Sequence, residues 1–483
     1  MMKLADLLAG VELLECSADL NMEIAGVSYD SRKTAAGDLF VAMTGYTVDG
    51  HDFIPKAIEK GAACILCERA PEQEIPFVRV ASCRRALAIL GANWFGHPAE
   101  EMVMIGVTGT NGKTTTTYLL KNILEAKANA TVGLIGTNQN MIGDRVIETE
   151  RTTPESFELQ KLFREMKDSG CTHVVMEVSS HALYLDRVYG IPFKVGIFTN
   201  LTQDHLDFHK TMESYCDAKA ILFRMCETGV VNSDDPWAQR LLQDATCKLL
   251  TYGEGEDAQL RATNITLSAA GIAFDAEKDS EKIPVEVGIP GGFMVYNTLD
   301  VLGAALALGI SLGESAAVLR ETAAVKGRVE VVPTETDYTM LIDYAHTPDA
   351  VENVLNSVRG FAKGRVIALF GCGGDRDQTK RPLMGAIAAE LSDLVIVTSD
   401  NPRTERPDAI IQDILAGMYR SQTPHIVVEN RIEAIHYAMD HAEAGDVIVL
   451  MGKGHETYQI IGTEKHHLDE REIIRDYLQI KRS

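Results

Sequence analysis

The sequence predicts an α/β protein of three domains: a small α/β N-terminal domain, a central domain with a mostly parallel sheet, and a C-terminal doubly wound domain. Apolar, strand-like runs alternate with helical patterns along the chain, as in parallel sheets that are covered by helices on both faces. At 483 residues the chain is too long for one hydrophobic core, and its length favours about three domains. We find no internal repeat in the sequence, which disfavours a solenoid scaffold.

A linker-like stretch separates the first two predicted domains. The first covers residues 1–98, where short apolar runs alternate with helical stretches up to the sequence FGHPAEE. The second covers residues 99–325 and becomes rich in strand patterns and glycine from about residue 252 to residue 292. The boundaries therefore follow changes in composition and pattern along the chain.

The third predicted domain, residues 326–483, has the clearest organisation. Its apolar runs are followed by polar turns with the sequences DYAHTPD, GCGGDRD, SDNPRTERP and GKGHE. In a doubly wound sheet, ligands bind outside the carboxyl ends of the strands. We therefore expect these turns to line one edge of the domain.

Charge and composition exclude several kinds of partner. The formal net charge is −23, which argues against nucleic acid and anionic membranes, because both require a basic surface. The N-terminal sequence MMKLADLLAGVELLE carries acids where a signal peptide has a basic start, and no long uncharged apolar run follows. We expect a cytoplasmic monomer with no nucleic-acid partner and no membrane insertion. Cys64 and Cys67 lie in an apolar run, so we expect core packing there and no structural zinc.

A glycine-rich stretch joins a predicted strand to a predicted helix in MIGVTGTNGKTTTT, residues 104–117. Backbone N–H groups in such a loop surround phosphate oxygens, while Lys113 adds a positive charge and Thr114 offers a hydroxyl to Mg²⁺. The stretch departs from the strict G-x-x-x-x-G-K-T pattern, since Val107 occupies the first glycine position. The alternative is a glycine-rich turn without a nucleotide, but the Gly-Lys-Thr ending between strand and helix favours a P-loop.

Two further stretches of the central domain contain candidate metal ligands. Glu177 lies near the end of the predicted strand VVMEVSS, where a carboxylate would reach Mg²⁺ beside the P-loop; a helix cap or a salt bridge is the alternative. The next apolar run ends in FTNLTQDHLDFH, which contains Asp204 and His205. Histidine is an unusual Mg²⁺ ligand, so the residues alone leave this stretch open between a site and a turn.

Eleven short motifs occur in one order over nearly the whole chain: GVTGTNGKTTT, TTPES, MEVSSHAL, FTNLTQDHLDFH, YCDAK, MVYN, KGRVE, DYAHTPD, DRDQTKRP, DNPR and GKGHE. Together they resemble the Mur ligase family. The resemblance implies a UDP-sugar-binding N-terminal domain, a central P-loop ATPase domain and a Rossmann-like C-terminal domain that binds an amino acid. It also implies the reaction, in which ATP phosphorylates the D-Glu carboxylate of UDP-MurNAc-L-Ala-D-Glu and an amine then displaces phosphate.

The resemblance also implies the residues that hold ATP and Mg²⁺. It assigns ATP to Gly109, Thr110, Asn111, Gly112, Lys113, Thr114, Thr115, Asn297, Arg328 and Asp343. It assigns the metal to Thr114, Glu177, His205 and Lys219, with catalytic roles for Lys113, His205 and Lys219. In similar enzymes the lysine that corresponds to Lys219 carries a carbamate. Formation of a carbamate requires a neutral amine and therefore a lowered lysine pKa. A surface lysine is the alternative for Lys219, and a cap or turn residue is the alternative for Asn297, Arg328 and Asp343.

For UDP-MurNAc-L-Ala-D-Glu the resemblance implies contacts from hydroxyl groups and an arginine, which suit diphosphate, sugar and carboxylate oxygens. The positions are Ser31, Tyr46, Thr47, Val48, Thr152, Thr153, Ser179 and Arg187. The sequence departs from the family pattern at Arg151, where some relatives have Asn, and at Leu185, where some have Gln.

The turn SDNPRTERP bears on which amino acid is added. In the diaminopimelate-adding branch of the family the motif reads DNPR, as it does here, and lysine-adding relatives lack its arginine. A guanidinium can hold the extra carboxylate of meso-diaminopimelate with two hydrogen bonds, which favours diaminopimelate over L-lysine. The contacts implied are Arg376, Asp400, Asn401, Pro402, Arg403, Gly452 and Glu456.

Other reaction classes remain as alternatives. L-Lysine as the acceptor, or another Mur-like amino-acid ligase, keeps the same chemistry. A P-loop kinase would release a phosphorylated product without any amine, so amine-dependent turnover separates it from a ligase. A non-enzymatic ATP-binding regulator would not explain the polar turns that are expected at one domain edge.

Overall fold

A computed structural model describes residues 1–45, 48–147, 149, 151–268, 270–322 and 325–482. Three large sheets of five, eleven and six strands follow one another along these residues, and helices pack against each of them. The predicted fold class, three α/β domains in sequence, is confirmed. Among the described helices, none is both long and apolar enough to cross a membrane.

The N-terminal part forms a five-stranded sheet with the order β2-β7-β6-β5-β4, and β1 pairs with β3 in a separate ribbon. Neighbouring residues of one strand point to opposite faces. Leu39 therefore packs with α1 and α3, while Phe40 packs with α2 on the other face. Cys64 and Cys67 are buried on these two faces, as the sequence predicted. The elements are β1 (Met2–Lys3), α1 (Leu4–Leu7), β2 (Glu15–Cys16), β3 (Glu23–Ile24), β4 (Gly26–Ser28), β5 (Asp38–Val41), α2 (Ile54–Glu59), β6 (Cys64–Cys67), β7 (Phe77–Arg79) and α3 (Cys83–Phe95).

The central part forms an eleven-stranded sheet whose inner strands β9, β12, β8, β13, β14, β15 and β16 pair in parallel. Both edges are antiparallel, so the sheet is mixed. The elements are β8 (Val103–Thr108), α4 (Lys113–Lys127), β9 (Val132–Ile135), β10 (Asn140–Ile142), β11 (Arg145–Ile147), α5 (Ser156–Asp168), β12 (His173–Glu177), α6 (Ser180–Tyr184), β13 (Phe193–Phe198), α7 (Leu206–His209), α8 (Met212–Ala220), β14 (Cys226–Asn232), α9 (Ala238–Leu241), β15 (Lys248–Gly253), β16 (Leu260–Ser268), β17 (Gly271–Lys278), β18 (Glu281–Val287), α10 (Phe293–Ala307) and α11 (Leu312–Arg320).

The C-terminal part forms a six-stranded sheet with the order β19-β20-β24-β21-β22-β23, which is parallel except at β19. Helices α12 to α14 cover one face, and α15 and α16 cover the other. This is the doubly wound arrangement that the sequence predicted. The elements are β19 (Glu330–Val332), β20 (Thr339–Asp343), α12 (Pro348–Arg359), β21 (Val366–Phe370), α13 (Lys380–Leu391), β22 (Leu394–Val397), α14 (Pro407–Met418), β23 (His425–Val427), α15 (Arg431–Asp440), β24 (Val447–Met451), β25 (Tyr458–Ile461), β26 (Glu464–His467) and α16 (Glu470–Arg482).

Candidate active site

The loop between β8 and α4 requires glycine at two positions. Gly109 has φ +148° and Gly112 has φ +88°, a region that side chains rarely adopt. A Cβ at Gly109 would lie 1.8 Å from Thr199 Oγ1, and one at Gly112 would lie 2.4 Å from Asn297 Oδ1. Only glycine fits at either position, so the loop can stay close to its neighbours. The backbone N–H groups of Thr110 and Asn111 donate to Asn200, to its O and its Oδ1, both at 2.9 Å.

A cavity of about 560 Å³ opens over this loop, between the central sheet and the C-terminal sheet. It brings together residues far apart in the sequence, because the loop forms one wall and the turn after β20 forms another. All ten residues that the sequence assigned to ATP line it, and they are Gly109, Thr110, Asn111, Gly112, Lys113, Thr114, Thr115, Asn297, Arg328 and Asp343. The four residues assigned to the metal line the same cavity: Thr114, Glu177, His205 and Lys219.

Two lysines bind the same backbone carbonyl of the loop. Lys113 Nζ donates to Gly109 O at 2.9 Å and to Thr110 O at 2.7 Å, and Lys219 Nζ donates to Gly109 O at 2.8 Å. Lys219 is 1% exposed, and its Nζ lies 4.4 Å from the centre of the Tyr215 ring. Burial, and next the charge of Lys113, hold the pKa of Lys219 well below its ordinary value. Burial also lowers the pKa of Lys113.

Thr114 and Glu177 form an oxygen pair beside the loop. Thr114 Oγ1 donates to Glu177 Oε1 at 2.8 Å, and Arg328 Nη2 donates to Thr114 Oγ1 at 3.0 Å. Glu177 also accepts from Thr137, at 3.0 Å from its backbone N and at 2.9 Å from its hydroxyl. A hydroxyl and a carboxylate in contact are ligands that suit Mg²⁺.

His205 occupies a turn of unusual backbone geometry. Its φ is +54°, and its Nε2 lies 3.3 Å from Asp204 Oδ2. Its ring lies 4.8 Å from the ring of His181, and burial lowers the pKa of both, that of His181 to about 4. Among the described residues, no group of three or more His, Cys, Asp or Glu side chains is arranged to hold a metal. Glu177 and His205 thus share a cavity without forming a closed ligand cluster.

Asp343 and Arg328 organise the C-terminal wall of the cavity. Asp343 accepts from Val329 N at 2.8 Å and from Ala345 N at 2.7 Å, and burial raises its pKa. Arg328 lies with its Cζ 4.9 Å from the centre of the Tyr344 ring and reaches Thr114 across the cavity. The C-terminal part of the chain therefore contributes directly to the surroundings of the P-loop.

The residues assigned to the UDP-linked substrate are divided by the structure. Thr152 and Ser179 line the cavity, and Thr152 Oγ1 lies 3.0 Å from Thr137 Oγ1. Thr153 donates its hydroxyl to Glu177 O at 2.8 Å, and Arg187 Nη1 donates to Thr153 O at 3.2 Å. These four residues are therefore neighbours of the metal-ligand candidates. In the N-terminal part, Ser31 is buried and Val48 is 53% exposed, whereas Tyr46 and Thr47 lie outside the described residues.

Sequence reasoning missed two charged residues next to this group. Glu155 Oε2 lies 3.3 Å from Arg187 Nε and 3.8 Å from Arg84 Nη1, which comes from α3 of the N-terminal part. Both of these arginine nitrogens are buried without a hydrogen-bond partner in the described structure. Burial lowers the pKa of Arg187. An arginine near a helix start carries no sequence signal of its own, so only the folded chain reveals the pair.

The turns after β21 and β22 lie next to each other, as the sequence predicted. Arg403 has φ +50°, donates its N–H to Ile460 O at 3.1 Å, and donates Nη1 to Gly374 O at 2.8 Å. Arg376 is exposed and donates Nη1 to Asp375 O at 3.0 Å. A Cβ at Gly373 would lie 2.9 Å from Arg403 Nη1 and 3.8 Å from Arg376 Cγ, so both arginines flank this glycine.

The turn after β24 completes the edge. Gly452 has φ +108°, and a Cβ there would lie 2.5 Å from Asp400 Oδ2. Asn401 Nδ2 donates to Glu456 Oε2 at 2.8 Å, so the DNPR and GKGHE turns are in contact. Pro402 O contacts the turn after β21, because a Cβ at Gly374 would lie 1.9 Å from it. The seven residues assigned to the amino acid are thus gathered at one edge, outside the residues that line the cavity.

Models of three family domains match this chain. The Mur ligase family catalytic domain matches residues 23–101, the Mur ligase middle domain matches residues 107–305, and the Mur ligase glutamate ligase domain matches residues 327–454.

Curated relatives match over almost the whole chain. The UDP-N-acetylmuramoyl-L-alanyl-D-glutamate--2,6-diaminopimelate ligase 1 of Clostridium acetobutylicum is 49% identical over 482 residues, which is 99% of each chain. The 2,6-diaminopimelate ligase of Clostridioides difficile is 44% identical over 482 residues, again 99% of each chain.

Solved structures have the same fold. The structure of a UDP-N-acetylmuramoyl-L-alanyl-D-glutamate--2,6-diaminopimelate ligase has a TM-score of 0.72 and 30% identity, and the match covers 100% of this chain and 99% of that one. The MurF ligase of Thermotoga maritima in complex with ADP has a TM-score of 0.62 at 20% identity, over 95% of this chain and 98% of that one, and agrees in fold.

Proposed function

This chain belongs to the Mur ligase family, and from that premise we propose that it adds meso-diaminopimelate to the D-Glu γ-carboxylate of UDP-MurNAc-L-Ala-D-Glu, an ATP-dependent step of peptidoglycan synthesis. Relatives of 44–49% identity over nearly the full length carry the name of this ligase. The single observation that carries the proposal is the cavity, in which the P-loop residues share one space with the substrate residues Thr152 and Ser179.

The reaction has two steps. An oxygen of the D-Glu carboxylate attacks the γ-phosphorus of ATP, and ADP leaves. The amine nitrogen then attacks the acyl carbon, phosphate leaves with the C–O bond electrons, and the nitrogen loses a proton. The protein must therefore align an oxygen of the carboxylate with the γ-phosphorus, place the amine within reach of the acyl carbon, and stabilise the negative charge on the moving phosphoryl group.

The P-loop and the side chains of Lys113 and Arg328 would stabilise that negative charge. The backbone N–H groups at the start of α4 would bind the β- and γ-phosphates, and Lys113 would leave the carbonyls of Gly109 and Thr110 to bind phosphate oxygens. Arg328, which already reaches Thr114, would add charge from the C-terminal side. Closure of the C-terminal part over the cavity would exclude water that competes with the amine.

The donor groups present fit Mg²⁺. Thr114 and Glu177 offer a hydroxyl and a carboxylate in contact, and His205 would be a further ligand from the same cavity. Mg²⁺ bound there would neutralise charge on the phosphate oxygens. Thr137 keeps Glu177 oriented toward this position through two hydrogen bonds.

A carbamate on Lys219 would provide an anionic ligand for a second Mg²⁺. Lys219 fits this role because its side chain is buried. Burial and the neighbouring charge of Lys113 lower the pKa of Lys219, which favours the neutral amine that forms a carbamate. The carbamate would replace a positive side chain beside Gly109 by a negative one, and so reverse the electrostatic effect of Lys219 on this part of the cavity.

The UDP-linked dipeptide and the amino acid would bind to different parts of the protein. Arg187 Nε and Arg84 Nη1 are buried beside Glu155 without a hydrogen bond, and these two cations would attract the anionic groups of the UDP-linked dipeptide. At the C-terminal edge, Arg403 would bind the distal carboxylate of meso-diaminopimelate, and Glu456 would accept a hydrogen bond from its distal ammonium. L-Lysine lacks that carboxylate, which makes Arg403 the residue that separates the two acceptors. A cytoplasmic location fits this activity, because ATP is supplied there, and the monomer expected from the sequence stays a prediction.

The test is phosphate release by the purified protein with ATP, Mg²⁺ and UDP-MurNAc-L-Ala-D-Glu, with no amine, with meso-diaminopimelate or with L-lysine. Release that requires meso-diaminopimelate is the expected result. Release with L-lysine alone would keep the ligase mechanism and overturn the acceptor assignment. Stoichiometric product phosphorylation without any amine would favour a kinase.

A further inference from the structure

The ammonium group of Lys453 joins the two turns that we assign to the amino-acid substrate. Its side chain is fully buried, and Nζ donates to Asn401 Oδ1 at 3.1 Å and to Glu456 Oε2 at 3.0 Å. Asn401 belongs to the turn after β22, and Glu456 belongs to the turn after β24. A buried ammonium requires an anionic partner, and Glu456 provides it.

Asn401 closes the network around this ammonium. Its Nδ2 donates to Glu456 Oε2 at 2.8 Å, and its Oδ1 also accepts from Ile460 N, in β25, at 2.9 Å. Two donors therefore converge on Glu456 Oε2. The described residues supply no hydrogen bond to Glu456 Oε1, while the Glu456 side chain remains 12% exposed. One oxygen of this carboxylate is held by the protein, and the other is open to a ligand.

From this geometry we propose that Lys453 is a positioning residue of the amino-acid site. By holding Glu456 Oε2, Lys453 leaves Glu456 Oε1 to accept a hydrogen bond from the distal ammonium of meso-diaminopimelate. By joining the two turns, Lys453 also sets the distance between Glu456 and Arg403. These two residues would bind the distal ammonium and the distal carboxylate of the acceptor. The inference rests on the proposed function, because it takes meso-diaminopimelate as the ligand. Lys453 itself contacts no substrate in this scheme.

Replacement of Lys453 by Met keeps most of the aliphatic chain and removes the charge. We expect Lys453→Met to raise the KM for meso-diaminopimelate about 10- to 100-fold, because a charge-assisted hydrogen bond that orders Glu456 is lost. The KM values for ATP and for UDP-MurNAc-L-Ala-D-Glu should stay within about twofold, because their proposed sites do not contain Lys453. Steady-state phosphate release with each substrate varied in turn measures all three.

A matched control separates positioning from stability. Asp446 is 2% exposed and pairs with Arg365 at 2.7 Å, next to the amino ends of β24 and β21, which is the opposite edge of the same sheet. Asp446→Asn should lower the Tm without changing the KM for meso-diaminopimelate. If Asp446→Asn raises that KM as much as Lys453→Met does, a general loss of stability explains the effect and the proposal is overturned.

A double-mutant cycle tests whether Lys453 acts through Glu456. We expect Lys453→Met combined with Glu456→Gln to raise the KM for meso-diaminopimelate no more than about threefold beyond Glu456→Gln alone, since the two residues act as one unit. Effects that multiply would overturn the proposal.

If Lys453→Met does not fold, Lys453→Arg takes its place, because the longer planar group would displace Glu456 and Asn401; an unchanged KM would overturn the proposal. If the wild-type protein releases no phosphate with any amine, the proposed function is refuted, which is a separate outcome.

Discussion

Arg403 is the residue whose replacement tests the acceptor assignment most directly. Its Nη1 donates to Gly374 O, so the guanidinium is already oriented, and its remaining N–H groups are available for a carboxylate. Arg403→Ala removes two charge-assisted hydrogen bonds to the distal carboxylate of meso-diaminopimelate. Such bonds contribute about 1.5–3 kcal/mol each, and we take the lower value because the side chain is half-buried.

The expected loss is therefore about 3 kcal/mol, which corresponds to a rise of roughly 100-fold in the KM for meso-diaminopimelate. L-Lysine lacks the carboxylate, so any turnover with L-lysine should be unaffected and the discrimination between the two amines should shrink by the same factor. Phosphate release with each amine varied at saturating ATP and UDP-MurNAc-L-Ala-D-Glu measures both. The Tm of Arg403→Ala reports whether loss of the hydrogen bond to Gly374 O lowers the stability of the protein.

Arg406 provides the control in the same turn region. It is 81% exposed and pairs with Asp408, so Arg406→Ala should leave the kinetics with both amines unchanged. A KM for meso-diaminopimelate within twofold of the wild-type value in Arg403→Ala would refute the reasoning. An equal loss of turnover with L-lysine would also refute it, since the side chain would then act on the shared part of the two amines.

Three further outcomes test other parts of the molecule. Gly112→Ala places a Cβ 2.4 Å from Asn297 Oδ1 at φ +88°, so ATP binding measured by titration should weaken at least tenfold, roughly 1.4 kcal/mol or more, and unchanged affinity would contradict the P-loop geometry. Lys219→Ala should abolish phosphate release, and a short-chain carboxylic acid should restore part of it if a carbamate is required; normal activity of the variant would exclude that role. Glu470→Gln leaves Arg431, its fully buried partner at 2.7 Å, without a counter-charge. The free energy of unfolding should therefore fall by about 3 kcal/mol and the Tm, measured by calorimetry, by about 6–12 °C. An unchanged Tm would show that the ion pair does not stabilise the protein.

The parts of the site that were predictable from the sequence are local or topological. Residues 109–115 are contiguous, and their conformation follows from two glycines between a strand and a helix, so the assignment of this loop to the ATP phosphates needed no long-range information. Asn297, Arg328 and Asp343 were assigned to ATP only through the family resemblance. The turns DNPR and GKGHE were expected at one edge because the carboxyl ends of parallel strands lie together. The pairing of β24 with β21, and of β21 with β22, confirms that expectation.

The long-range contacts were not predictable in the same way. Lys453 lies in the motif GKGHE, yet nothing in its position indicates a hydrogen bond to Asn401, 52 residues earlier. Arg84 lies in the N-terminal part and approaches Glu155 only across an interface. Lys219 and Lys113 share the carbonyl of Gly109, which lies 110 residues from Lys219.

The sequence by itself determined the three-domain α/β fold, the family, the glycine-rich loop between β8 and α4, and the edge of the C-terminal sheet at which the DNPR and GKGHE turns lie. Each depends on periodicity and short motifs, which are properties of neighbouring residues, or on the general rule that parallel strands end at the same edge of a sheet. Only the tertiary structure decided which side chains lie in contact: the Thr114–Glu177 pair, the ammonium of Lys453 between two turns, and the arginines around Glu155. Such contacts depend on side-chain packing between distant segments, because a hydrogen bond requires positions accurate to a few tenths of an ångström, and no local pattern specifies distances between separate elements that closely.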